Sequence, residues 1–208
     1  MMDLLVATRN AGKMREIRRI LTEVPRLRVL DPDEAGIEYD QAEEDLEPHD
    51  TFEGNAFAKA QYFMAKSGIP TVADDSGLQV DTLGGAPGVR SRRFAPDEGL
   101  EGKALDDANN SYLVERLRDV DPEARTARYV CVAVFAAPEH DAVVLEGEAE
   151  GFVLNEPRGS GGFGYDPYIL DPKVGKTFAE MTGEEKDQRS HRGMAFRQLA
   201  DLLRGRLG

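Results

Sequence analysis

Four short runs in this sequence set reactive or hydrogen-bonding side chains beside small or aromatic residues. Thr8-Arg9-Asn10-Ala11-Gly12-Lys13 lies where a short apolar segment gives way to a helical pattern. The N–H groups at a helix start are unpaired and carry partial positive charge, which suits phosphate. Gly12 permits close backbone approach and Lys13 adds a full charge. The run is not a Walker A loop: Ala7 stands at its first glycine position and Met14 replaces its Ser or Thr. Read alone, it also fits a polar connection capped by Asn10. Asp74-Asp75-Ser76-Gly77 closes a predicted strand. Neighbouring strand residues face opposite sides, so one Asp can meet a ligand while the other braces the loop. Carboxylate oxygens suit Mg²⁺, which keeps several waters. An Asx-type turn between two strands is the alternative reading.

The remaining runs suit a flat polar ring. In Gly159–Pro167, glycines clear space while Phe163 and Tyr165 offer flat faces; a glycine hairpin beside a strand is the plainer alternative. Ser190-His191-Arg192-Gly193 clusters donors, in a chain with only 3 histidines. Asn55 and Lys59 are four apart, which puts them on one helix face, either within reach of phosphate or, as is commoner, facing solvent as a pair. Glu43, Glu44, Asp45 and Glu47 form an acidic run, most of which reads as solvated surface, with a second metal carboxylate as the other option. Anion binding, metal binding and base recognition on one chain point to an enzyme acting on a nucleoside triphosphate.

These runs need elements to hold them. Asp3–Ala7 reads as a first strand, Thr8–Gly12 as a loop and Lys13–Glu23 as a helix, with Met14, Ile17, Ile20 and Leu21 at helical spacing. Leu27–Leu30 is a second strand candidate, and residues 31–50 are a loop rich in acid with room for a short strand. Thr51 caps a helix with Phe52, Ala56, Ala60, Phe63 and Met64 on its apolar face, ended by Gly68 with Pro70 beyond. Thr71–Asp74 and Leu78–Asp81 read as two strands separated by a turn. Gly84–Gly88 is a loop and Leu105–Val120 an amphipathic helix. Ala127–Ala137 and Ala142–Leu154 are the strongest strand candidates, Asp166–Leu170 is a short strand, and Met194–Leu207 is a closing helix. The expected class is α/β, with a central mixed sheet and residues 1–208 as one domain.

Composition narrows the partners. With 208 residues and 40% hydrophobic content, a packed core is within reach. The formal net charge of −13 opposes nucleic acid polymers, although a local basic pocket with a divalent cation still admits a nucleotide. No apolar run reaches the length of a membrane span, and the N-terminus lacks the pattern of a secretory signal. Cys131 is the only cysteine, which excludes an intrachain disulfide and suits a cytoplasmic protein. Of the 26 basic residues 7 are lysine and 19 arginine, a balance expected of a salt-rich cytoplasm.

Taken in order, the motifs resemble the nucleoside triphosphate pyrophosphatases of the inosine triphosphatase type, which remove dITP, ITP and XTP. The matching runs are Thr8 to Lys13, Thr51 to Ala56 with Lys59, Ala73 to Leu78, Gly84 to Gly88, Gly161 to Pro167, Glu185-Lys186 and Ser190 to Gly193. The resemblance implies an elongated mixed sheet flanked by helices, in two lobes with the active site in the cleft between them, and a homodimer. It implies that Thr8, Arg9, Asn10, Ala11, Gly12 and Lys13 hold phosphate and sugar, with Lys59 and Ser76 as further substrate contacts. It assigns Asp75 as proton acceptor and metal ligand, Glu47 as the second ligand, and Mg²⁺ as the metal with Mn²⁺ as the alternative. Phe163, Gly164, Tyr165 and Asp166 match the base-binding run, and Lys186, His191 and Arg192 the remaining nucleotide contacts. One departure is Glu47-Pro48-His49-Asp50, where many relatives carry Glu-Thr-Gly before Thr-Phe.

The expected reaction is hydrolysis of the triphosphate to monophosphate and pyrophosphate, with water attacking the α-phosphorus. Asp75 acts either as base or by orienting a metal-bound water. Donors of His191-Arg192 are expected to favour a six-oxo over a six-amino purine. The rival readings are a pyrophosphatase for modified pyrimidine or methylated nucleotides, and a silent nucleotide-binding protein.

Overall fold

The computed structural model describes residues 1–96 and 99–207. Among them, seven strands form one mixed sheet, flanked by helices: β1 (Met2–Val6), β2 (Leu27–Leu30), β3 (Thr71–Val80), β4 (Thr126–Ala136), β5 (Val143–Val153), β6 (Ile169–Asp171) and β7 (Lys176–Thr177). Their order is β2-β1-β3-β4-β5-β6-β7. β1 runs parallel to β2 and β3, while the β5–β6 and β6–β7 pairs are antiparallel. The helices are α1 (Ala11–Leu21), α2 (Phe52–Ser67), α3 (Gly102–Arg116), α4 (Gly183–Arg189) and α5 (His191–Leu207).

The chain divides into two compact units, and β3, β4 and β5 each pass from one to the other. Unit 1 comprises Met1–Asp75, Cys131–Gly147 and His191–Gly208. Its core follows the period-two rule for strands. Leu4, Val6, Val72, Cys131, Ala133 and Phe135 pack with Ile17, Ile20 and Leu21 of α1 and Phe196, Leu199 and Leu203 of α5. The alternate residues Leu5, Ala7, Ala73, Val134 and Ala136 pack with Ala56, Ala60 and Phe63 of α2. Unit 2 comprises Ser76–Val130 and Glu148–Ser190. Its core joins Leu78 and Val80 of β3 with Leu113 and Leu117, Tyr129, Ala149, Tyr165, Ile169 and Phe178.

Several boundaries differ from expectation for physical reasons. α1 begins at Ala11, because Asn10 Oδ1 accepts the Lys13 N–H at 3.0 Å and caps the helix two residues earlier than its apolar pattern suggests. Asp74-Asp75-Ser76-Gly77 is not a turn: β3 runs unbroken through it, with both carboxylates buried. The predicted strand at Asp166–Leu170 moves to Ile169–Asp171. α3 starts three residues early and ends at Arg116. α4 is a polar helix that apolar periodicity could not find; Thr182 and Glu185 form its capping box. α5 starts at His191, so His191 and Arg192 belong to its first turn.

In unit 1, α5 lies close against β5 at Gly147. A β-carbon at that position would collide with the His191 carbonyl oxygen and would stand 2.8 Å from Met194 Cβ. Gly147→Ala is therefore expected to lower stability by about 1–3 kcal/mol, as overpacking does. Urea unfolding of both proteins checks this, and an unchanged midpoint would contradict the close approach.

Candidate active site

Unit 1 gathers charged side chains around the middle of β3. Asp74 is almost fully buried. Its Oδ2 accepts from Lys13 Nζ at 2.9 Å and Arg192 Nη2 at 3.3 Å, and Cys131 Sγ stands 3.9 Å away. Burial alone would raise its pKa, but Lys13, Arg192 and Lys59 outweigh burial and hold the carboxyl far below the usual range. Arg192, itself buried, also gives Nη1 to Glu16 Oε2 at 2.7 Å. Lys59 donates to the Asp74 carbonyl at 2.7 Å and to Glu47 Oε1 at 2.6 Å. Burial works against its charge, and the surrounding Glu47, Asp74 and Asp75 restore it.

Asp75, the next strand residue, has different company. Its Oδ2 accepts from Asn55 Nδ2 at 2.9 Å, and Asn55 also bonds both the N–H and the carbonyl of His49. The departure at Pro48-His49 is thus tied to α2 through Asn55. Burial raises the Asp75 pKa above the ordinary carboxylate value; Lys59 opposes this and the Glu47 charge adds to it. Glu47 is half-exposed, and Lys59 holds its pKa down against burial.

Burial and the Glu47 charge together outweigh Lys59 at Asp75. Glu47 and Asp75 both offer hard oxygens. Among the described residues no group of three or more His, Cys, Asp or Glu could hold a metal ion. Two carboxylates, with phosphate oxygens and waters completing the shell, match the habit of Mg²⁺ sites. The residues present fit a divalent cation at this pair.

The Thr8–Lys13 run is ordered by its own polar atoms: Thr8 Oγ1 accepts the Asn10 N–H at 3.2 Å. Arg9 reaches Glu43 with two bonds at 2.7 and 2.8 Å, Asp33 at 2.6 Å and the Ile37 carbonyl at 3.1 Å. Its guanidinium thus anchors the acidic 33–43 segment. Ser76 follows Asp75 in β3 and is half-buried. His191 opens α5 and is buried.

Unit 2 holds the aromatic run. Asp166 is buried; its Oδ2 accepts from Lys186 Nζ at 2.6 Å and from the Phe163 N–H at 2.9 Å. Lys186 Nζ stands 4.8 Å from the Phe163 ring centre. Gly162, at φ 72°, leaves no room for a β-carbon beside Asp166 Oδ2. Tyr165 OH donates to the Ser91 carbonyl at 2.7 Å, and burial pushes its pKa up.

The expected residues therefore assemble within each unit. Lys13, Glu47, Lys59, Asp75 and Arg192 gather in unit 1, and Phe163, Gly164, Tyr165, Asp166 and Lys186 in unit 2. Arg192 was expected to read a base, yet two of its terminal nitrogens bond Glu16 and Asp74. Sequence reasoning missed Glu16, which looks like any charged residue between apolar helix positions. Its spacing of three from Lys13 within α1 was the available signal.

The profile of the Ham1 family matches residues 4–202. The chain belongs to the Ham1 family. A Frankia alni protein named dITP/XTP pyrophosphatase is 44% identical over 203 residues, covering 98% of each chain. One of the same name from Escherichia coli O157:H7 is 43% identical over 206 residues, covering 98% of this chain and 99% of its own. The solved HAM1 protein from Coxiella burnetii superposes with a TM-score of 0.83 at 32% identity, covering 98% of both chains.

Arg192→Ala would leave Glu16 and Asp74 buried beside each other with one cation fewer. Breaking a buried pair in this way costs about 3–5 kcal/mol. Denaturant titration is expected to show a loss of that order; a loss below about 1 kcal/mol would mean that the network does not hold unit 1 together.

Proposed function

We propose that this protein hydrolyses the non-standard purine nucleoside triphosphates dITP, ITP and XTP to monophosphate and pyrophosphate, clearing them from the nucleotide pool. The observation that carries the reading is the charge group of unit 1. Two ammonium groups and three carboxylates meet there, cations for phosphate beside hard oxygens for a metal. A polyanion with a cation is what such a group is built to receive. The relatives from Frankia and E. coli are named for dITP and XTP.

Water attacks the α-phosphorus, the bond to the bridging oxygen breaks, and pyrophosphate leaves. Lys13 and Lys59 balance the charge of the triphosphate and of the transition state. Asp75 receives the proton of the attacking water. Asn55 fixes its direction. When bound at Glu47 and Asp75, Mg²⁺ or Mn²⁺ supplies Lewis-acid neutralisation of phosphate oxygens.

Thr8, Asn10, Ala11, Gly12 and Ser76 are the proposed sugar and phosphate contacts, with Arg9 serving them through the segment it anchors. Phe163, Gly164, Tyr165, Asp166 and Lys186 are the proposed base contacts, joined by His191, while Arg192 serves the site by holding Asp74 and Glu16. The six-oxo group is the discriminating feature, because a buried donor left facing an adenine amino group costs about 1–3 kcal/mol. The same reading takes residues 1–208 as one catalytic domain, acting as a cytoplasmic homodimer. The acidic composition, which opposes nucleic acid polymers, supports the absence of nucleic acid partners. Among the described residues no helix is long and apolar enough to cross a membrane.

A panel of nucleoside triphosphates scored for pyrophosphate release tests the reading, with ITP, dITP and XTP expected far ahead of ATP. A preference for modified pyrimidine or methylated nucleotides would replace it, and tight ITP binding without turnover would favour a silent binder. Asp75→Asn is expected to cut turnover by at least about 10², the lower range for loss of a general base. Near-normal turnover in the folded variant would remove Asp75 from the chemistry. Excess EDTA is expected to abolish pyrophosphate release and added Mg²⁺ or Mn²⁺ to restore it. Full activity in chelator would exclude the metal at Glu47 and Asp75.

A further inference from the structure

α3 carries a mixed stripe on its buried face. Asp106, Asn109, Asn110, Leu113 and Leu117 recur at the spacing of one helix side. Leu113 and Leu117 join the core of unit 2, as a buried helix face should. Asn109 and Asn110 are just as buried, at 3% and 4% exposure. Asparagine at such positions is a poor helix former and expensive to desolvate. Something other than core packing must account for it.

Their partners are backbone atoms of two loops and of α3 itself. Asn109 Oδ1 accepts the N–H groups of Phe94 and Ala95 at 3.0 and 2.8 Å, and its Nδ2 donates to the Arg92 carbonyl at 3.0 Å. Asn110 Nδ2 donates to the Gly164 carbonyl at 2.9 Å and, in the helix, to the Asp106 carbonyl at 2.9 Å. The Asp106 carboxylate accepts the Gly164 N–H at 2.9 Å. Gly164 is thus gripped at both ends of the residue, by side chains one helical turn apart. It has φ 61°, a left-handed conformation that its lack of a side chain permits. The residue before it is Phe163, whose ring faces Lys186, and the residue after it is Tyr165, whose hydroxyl bonds the Ser91 carbonyl in the other loop. Asn109 holds that loop at Arg92, Phe94 and Ala95.

We propose that Asp106 and Asn110 are positioning residues for base recognition: by clamping Gly164 they fix the Phe163 ring and its partner Lys186 in the geometry that reads a six-oxo purine. The proposal rests on the reading of Phe163–Asp166 as the base-binding run. Asp106 and Asn110 touch the backbone of that run and act on the substrate through it. An unclamped Gly164 would open many backbone states to Phe163, and binding would then have to order the run itself. The loss should fall on affinity and on base discrimination, while the proton transfer assigned to Asp75 is untouched.

The test uses the full chain and reads both turnover and product binding. Asp106→Ala is expected to raise KM for ITP about tenfold or more, the scale of one hydrogen bond to a charged acceptor. It should weaken IMP binding in calorimetry by a similar factor and lower the ratio of kcat/KM for ITP over ATP, while kcat stays within about threefold. Asp106→Asn keeps an oxygen acceptor and is expected to recover most of the KM. Asn110→Ala removes the opposite jaw and gives the same pattern if Asp106→Ala fails to fold. Unchanged KM and IMP affinity in a folded variant overturn the proposal, as does Asp106→Asn behaving like Asp106→Ala. Wild-type protein that binds IMP but releases no pyrophosphate from any triphosphate defeats the enzymatic reading instead. The clamp would still stand or fall on IMP affinity in the variants.

Discussion

A carboxylate sealed from water inside unit 1 is the interaction on which the rest of that unit depends. Asp74 could not remain ionised there without compensation, because burial of a lone charge costs several kcal/mol. Lys13 from α1, Arg192 from α5 and Lys59 from α2 supply it. Three helices are thereby fixed to one atom group on β3. The same pull orients Lys13 and Lys59, the cations assigned to the triphosphate. A structural charge therefore prepares a chemical site: the cations are already gathered and desolvated before a substrate provides its own negative charge.

The period of the strand separates the two duties. Asp74 is saturated with cations, and its carboxyl is held far below its ordinary pKa. Asp75 takes an amide partner and is pushed the other way by burial and by Glu47. Adjacent residues of the same type acquire opposite character because consecutive strand positions meet different surroundings. In unit 2 the same economy appears in Asp166, which joins the Phe163 backbone to Lys186 through one oxygen.

The sequence made much of this readable where local signals agree. The bounds of β2 match those expected, and those of β4 and β5 fall within a residue, because β4 is a continuous Val-rich apolar run and β5 alternates buried with exposed positions. The motif order pointed to the family and to the residues that gather in each unit. Three of the misses share one cause. Asp-Asp-Ser-Gly has turn composition, yet cations from distant segments make an unbroken buried strand affordable there. Glu16 reads as a solvated helix residue until Arg192 meets it, and Asp106, Asn109 and Asn110 read as a polar patch until two loops close on them. Long-range partners decide these positions, and composition within a window does not contain them.

The Arg192 bonds also bear on how the protein is made. Arg192 pairs with Glu16 across 176 positions of sequence and with Asp74 across 118. During synthesis, Asp74 and Glu16 leave the ribosome long before their guanidinium partner does. Domains ordinarily fold as units as they emerge, but unit 1 draws on three separated stretches, the last of which begins at His191. Its core and its ion network both wait for α5, so unit 1 stays unfinished until the residues from His191 onward have emerged. Loop-closure entropy on this scale slows assembly, and the apolar faces of β1, α1 and β4 remain exposed in the interval. The final helix is thus the latch that ends the vulnerable phase, and the burial of Arg192 is the event that closes it.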